Sequence, residues 1–127
     1  MPMSDVEVMR LFLKLGFTLS AATVLTVLFS AKNPMCFGEI VKATGYAKGH
    51  VSQILKQLEA RKIVERIYEG KKVRFRLKKN ALSELLLEHL IEIKKSIEPF
   101  AMQPFPQDDR IKKLVEKLNE AISGDGI

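Results

Sequence analysis

The amino-acid sequence predicts a mainly α-helical fold with one small β-hairpin and additional helices at both ends. Three observations lead there. Apolar residues recur at helical spacing through most of the chain. The period drops to two only once, after Lys62. Turn-forming residues (Gly16, Asn33-Pro34, Gly45, Gly70) separate the periodic runs.

The first helix is expected over Ser4 to Leu15, capped by Ser4 or Asp5, with Val8, Leu11, Phe12 and Leu15 on one side. Gly16 ends it. Ser20 is the expected cap of a second helix reaching about Ser30. Val24, Leu25, Val27, Leu28 and Phe29 make that helix apolar nearly all round, as a central core helix is. A short third helix follows over Cys36 to Thr44, with Phe37, Ile40 and Val41 inward and Gly45 as its C-cap. The fourth runs from about Lys48 to Arg61 on a stripe of Val51, Ile54, Leu55 and Leu58.

Val73, Phe75 and Leu77 then alternate with Lys72, Arg74, Arg76 and Lys78, the pattern of a half-buried strand with a basic outer face. Ile63 to Tyr68 reads as its partner strand, and Glu69-Gly70-Lys71 as the turn, with positive φ at Gly70. A long helix over Ala81 to Glu98 follows, stopped by Pro99. The span 99–107 contains three prolines and reads as a linker or extended arm. Asp108 caps a last amphipathic helix with Ile111, Leu114, Val115, Leu118 and Ile122 inward, and the tail after it frays. The expected organisation is a domain at 1–98 (36–61 the two-helix unit, 63–78 the hairpin, 81–98 the long helix), a linker at 99–107 and a terminal helix and tail at 108–127.

With 127 residues the chain fits one domain. Its single cysteine, Cys36, supports no disulfide framework, so a reducing, cytoplasmic setting is expected. The start lacks the basic flank of a signal peptide. The apolar stretch Leu15 to Ala31 is shorter than the ~20 residues of a membrane span and is broken by hydroxyls. No membrane association is expected. The net charge of +6 is unevenly spread: Gly45 to Asn80 holds eleven lysines and arginines against three acids, a local +8, which leaves −2 elsewhere. A polyanionic partner fits that asymmetry; a solvated basic face is the plainer alternative.

Two helices joined by a tight glycine turn form a helix-turn-helix unit, whose second helix fits the major groove of DNA. The outward residues of that helix are Lys48, Gly49, His50, Ser52, Gln53, Lys56 and Gln57. Gln53 has the geometry to pair with adenine, and Lys56 the reach for guanine or a phosphate. Lys48 and Gly49 sit at the helix start, where free backbone N–H groups favour phosphate. The hairpin is then a wing. Lys71 and Lys72 lie at its tip and Arg74 and Arg76 on its exposed face, all suited to the phosphate backbone or minor groove of double-stranded DNA. The alternative is a surface strand kept soluble by charge.

The run from Gly45 to Glu59 (Gly-Tyr-Ala-Lys-Gly-His-Val-Ser-Gln-Ile-Leu-Lys-Gln-Leu-Glu) resembles the recognition region of MarR-type and ArsR-type winged-helix transcriptional regulators. So do Lys62 to Arg66 and Gly70 to Leu77. Lys48-Gly49-His50-Val51-Ser52 is similar to the GbsR-like branch of the MarR group, and Leu19 to Phe29 resembles the core helix preceding the motif. The resemblance spans roughly residues 17 to 80. It implies a winged helix-turn-helix fold and a homodimeric regulator that reads a pseudo-palindromic operator, with terminal helices at the dimer interface. Two positions depart from it. Lys62 stands where such families usually carry glycine, and Ala47 is a poor N-cap.

Metal-sensing members of the ArsR group carry Cys-x-Cys in the helix that begins here at Cys36. Gly38 replaces the second cysteine, and His50 and His89 match no ligand spacing, so no metal is expected. There is no Gly-rich phosphate loop, paired His/carboxylate motif or nucleophile motif, so neither catalytic residue nor cofactor is assigned and no enzyme is expected. Leu82, Leu86, Leu90, Ile93 and Ile97 give the long helix more apolar surface than an isolated helix carries. A second copy covers it, or the chain's own first and last helices do. Alternatives to a sequence-specific regulator are a winged-helix protein-interaction module and a nonspecific architectural DNA-binding protein. The sequence does not specify a small-molecule effector.

Overall fold

The computed structural model describes residues 3–101 and 110–123, the side chain of Ala101 excepted. The element order is α1 (Asp5–Lys14), α2 (Leu19–Ser30), β1 (Met35–Cys36), α3 (Phe37–Thr44), α4 (Lys48–Ala60), β2 (Val64–Glu69), β3 (Lys72–Leu77), α5 (Ala81–Ala101) and α6 (Arg110–Ile122). The chain divides into two compact units, Met1–Leu82 and Ser83–Ile127.

In the first unit α2 is the central element, packed by α1, α3, α4 and β3. Ala22, Val24 and Leu25 are wholly buried, and Phe12, Ile40, Val51 and Leu55 close over them from three other helices. The cap of α2 is Thr18, whose Oγ1 accepts from the Ala21 N–H at 3.2 Å, and not Ser20 as expected. Either hydroxyl suits a cap. Phe17 is buried just before it and makes an edge contact with Phe12, which fixes where the chain turns. Ser4 caps α1 through the Glu7 N–H at 3.2 Å. Gly45 ends α3 in the left-handed conformation, φ +75°, and returns its N–H to Val41 O at 2.9 Å.

The sheet has three strands in the order β1-β3-β2, one more than the expected hairpin. Met35 and Cys36 pair antiparallel with Phe75 and Arg74. Cys36 is therefore the end of a strand and the N-cap of α3, and the helix starts at Phe37. In the hairpin Val64 faces Leu77, and the ladder runs to Glu69 opposite Lys72. Gly70 has φ +62° at the first of the two turn positions, as a type II′ hairpin requires.

In the second unit α5 continues to Ala101 with Pro99 inside its last turn, so Pro99 does not stop it at Glu98 as expected. Proline removes one N–H from the ladder, and in the last turn that leaves a single carbonyl without its helical partner, a loss the helix end tolerates. The remainder of the expected linker, Asp108 and the tail after Ser123 lie outside the described residues. No residue of α6 is buried. No helix among the described residues is long and apolar enough to cross a membrane.

Candidate nucleic-acid interface

Helix α4 buries Val51, Ile54, Leu55 and Leu58 and presents its other side to solvent. Lys48, Gly49, His50, Gln53, Lys56 and Gln57 are exposed, and Ser52 is half-buried. Ser52 lines a cleft of about 240 Å³ with Phe37, Leu55, Arg66, Val73 and Phe75, where helix and wing meet. The start of α4 has no side-chain cap, because Ala47 has no oxygen to offer. The first N–H groups of a helix have no acceptor within it, and here no side chain supplies one at the cap, an arrangement that suits an anion.

The turn before α4 is tied to the core. The Tyr46 hydroxyl donates to Thr23 Oγ1 at 3.2 Å, and Thr23 donates to Leu19 O at 2.8 Å. The Tyr46 ring lies 5.2 Å from that of His50. The first turn of α4 is thus oriented by contacts to the central helix.

In the wing the register decides which side chains share a face. Glu65, Ile67 and Glu69 share theirs with Arg76, Arg74 and Lys72, so the outer face is not purely basic. Arg76 Nε lies 2.9 Å from Glu65 Oε2. Arg74 donates to Pro34 O at 3.3 Å and to Glu39 Oε1 at 3.4 Å, and it meets Glu69 at 3.5 Å. It is half-buried, a strut between the wing and the start of α3. Hydrogen bonds from the Cys36 side chain and backbone N–H hold the Glu39 carboxyl below its ordinary pKa, and the Arg74 charge adds to this. On the inner face Arg66 bonds both oxygens of Glu59, at 2.9 and 3.1 Å, and lies over the Phe75 ring at 5.3 Å. The Glu59 hydrogen bond raises the Arg66 pKa.

Lys71 and Lys72 at the tip are exposed, and among the described residues neither forms an ion pair. Lys48 and Lys56 of α4 are likewise exposed and, among the described residues, form no ion pair. The three wing arginines are neutralised from within.

The family model described as bacterial regulatory protein, arsR family, matches residues 23–66, about a third of the chain, from α2 into β2. The fold is similar to that of a transcriptional regulator at TM-score 0.56 and 17% identity, over 94% of this chain and 88% of that one. It is similar to a point mutant of Staphylococcus aureus MepR bound to an oligodeoxyribonucleotide, at TM-score 0.53 and 15% identity, over 93% and 88%. The MarR family transcriptional regulator SPO1453 from Silicibacter pomeroyi DSS-3 matches at TM-score 0.50 and 18% identity, over 93% and 85%. This chain is a winged helix-turn-helix protein. A search of the curated proteins found no match.

Three features of the chain are not legible in the sequence. Strand β1 is two residues long, too short for any periodicity. Tyr68 is 68% exposed beside the wing tip, on the face of Val73 and Phe75. The alternation of that strand carried its signal. Phe100, 57% exposed, continues the stripe of Leu86, Leu90, Ile93 and Ile97 at spacings of three and four, and its place after Pro99 hid it. Leu86 and Ile93 are exposed, while Leu82, Leu90 and Ile97 are half-buried. Cys36 is half-buried, and no group of three or more potential metal ligands exists among the described residues.

Proposed function

We propose that this winged helix is a homodimeric, sequence-specific transcriptional regulator of double-stranded DNA, acting in the cytoplasm without cofactor or catalysis. The observation that carries the reading is the placement of unneutralised cations. Lys48 and Lys56 stand among the exposed amides of Gln53 and Gln57 and the half-buried hydroxyl of Ser52 on α4, and Lys71 and Lys72 stand at the end of the adjacent wing. Helix α4 enters the major groove. Gln53, Gln57, Ser52 and His50 read base edges, and Lys48, Gly49 and Lys56 hold phosphate. Lys71 and Lys72 take the backbone or minor groove, with Tyr68 beside them. Arg74 and Arg76, taken from the sequence as direct contacts, hold the wing in shape. The DNA in the MepR mutant structure supports this use of the fold.

Leu82, Leu86, Leu90, Ile93 and Ile97, extended by Phe100, form the dimer seam. The support is a stripe at coiled-coil spacing that stays at least partly exposed in the single chain. Fluorescence anisotropy tests the whole reading. A duplex from upstream of the protein's own gene and a scrambled one are titrated at low and near-physiological salt. Binding to the upstream duplex that survives the higher salt supports the proposal. Equal binding that salt abolishes on both contradicts specific readout.

A further inference from the structure

The wing carries its cations in three groups, and they differ in how they are neutralised. In the middle Arg66, Arg74 and Arg76 each meet a carboxylate. At the tip Lys71 and Lys72 meet none. A third group lies at the base: Lys62, Lys78 and Lys79, all exposed and, among the described residues, without an ion pair. The end of the ladder brings it together. Val64 faces Leu77, and the next rung is closed by the Lys78 N–H donating to Ile63 O at 2.8 Å. Neighbouring Arg61 lies over the Phe17 ring at 4.8 Å.

A second, independent observation marks the same place. Lys62 is held at φ +61°. That conformation strains any residue with a Cβ, and glycine adopts it freely. Lysine has no short polar side chain to offset the strain as asparagine does. A strained residue kept at an exposed turn points to a use for its side chain.

We propose that Lys62, Lys78 and Lys79 form a second phosphate-binding patch, which holds duplex DNA flanking the segment taken by α4 and the wing tip. The inference rests on the DNA-binding reading above. Three bare ammonium groups without an exposed apolar centre suit a phosphate backbone, whereas a protein partner calls for an apolar core to the contact. Six residues along β3 separate Lys78 at the base from Lys72 at the tip, about 20 Å at the usual rise per residue. Duplex DNA presents a charge every 1.7 Å or so of its axis, so one duplex reaches both ends.

The test is the salt dependence of binding to a generic duplex of about 40 base pairs, since phosphate contacts need no operator. The wild type is compared with K62Q/K78Q/K79Q and with an equally charged control, K14Q/K32Q/K112Q, whose lysines are also exposed. Each phosphate contact contributes about 0.9 to the slope of log K against log salt. The base variant is expected to lose roughly 2 to 3 from that slope and the control less than about 0.5. K62G separates charge from backbone: its melting temperature should rise while its slope falls by about 0.9. An unchanged slope in the base variant, or an equal loss in the control, overturns the patch and leaves the DNA-binding reading standing. A wild type that binds no duplex at low salt overturns both.

Discussion

Helices α2 and α5 are the two most apolar long segments of the molecule, and the fold treats them differently. In α2 six residues are buried, among them Val24, Leu25 and Leu28, under four elements of the same unit. Among the described side chains of α5 only Ala81 and Leu85, both near its start, are buried, and the stripe beyond them keeps solvent contact. Apolar content alone therefore does not say where a core lies. A helix apolar all round must be enclosed, whereas a stripe along one side can wait for a partner.

Substitutions sharpen that contrast. The largest effect is expected at Leu25, which is wholly buried. Leu25→Ala should cost about 3 kcal/mol of unfolding free energy, read from the urea midpoint. Ile93→Asp should leave unfolding of the first unit unchanged and weaken dimerisation. Seating a carboxylate in an apolar seam costs roughly 2–3 kcal/mol, about a hundredfold in dimer dissociation constant by sedimentation. An Ile93→Asp chain that unfolds like Leu25→Ala would mean that α5 is a core helix after all.

The wing offers a smaller contrast of the same kind, between its paired arginines and bare lysines. Lys72→Gln should lower the salt slope of DNA binding by about 0.9. Arg74→Gln should weaken binding by a few-fold with the slope unchanged, because a strut is lost and no phosphate contact. Equal slopes for the two variants would return Arg74 to the DNA.

The smallest effect concerns Glu39. Its folded carboxyl lies below the ordinary value of 4.5, so the stability it adds is present above that pH and lost as pH falls through the lowered value. Glu39→Gln keeps an acceptor for the Cys36 N–H but has no charge to lose. The difference in urea midpoint between wild type and Glu39→Gln should therefore be larger at about pH 6 than at about pH 3, and a constant difference would contradict the assignment.

Much of this architecture can be read along the chain. The stripe of α4, the glycine after α3, the alternation of β3 and the polar outward face of α4 are local patterns, and each reappears with nearly the expected bounds. What escaped reading is non-local. Strand β1 exists because Met35 and Cys36 meet Phe75 and Arg74, which lie far along the chain. The neutralised arginines follow from the hairpin register, which sets Glu65 beside Arg76.

By itself, then, the sequence determined the helices, the hairpin and the outward side of α4, because helical and strand periods are properties of neighbouring positions. It also placed a basic segment around the helix-turn-helix. Only the tertiary structure decided which of those charges stay bare, because a cation is neutralised by whichever carboxylate the register and packing bring within reach. It also decided that Lys62 holds a left-handed backbone, since the junction of α4 and the wing imposes that φ whatever residue stands there.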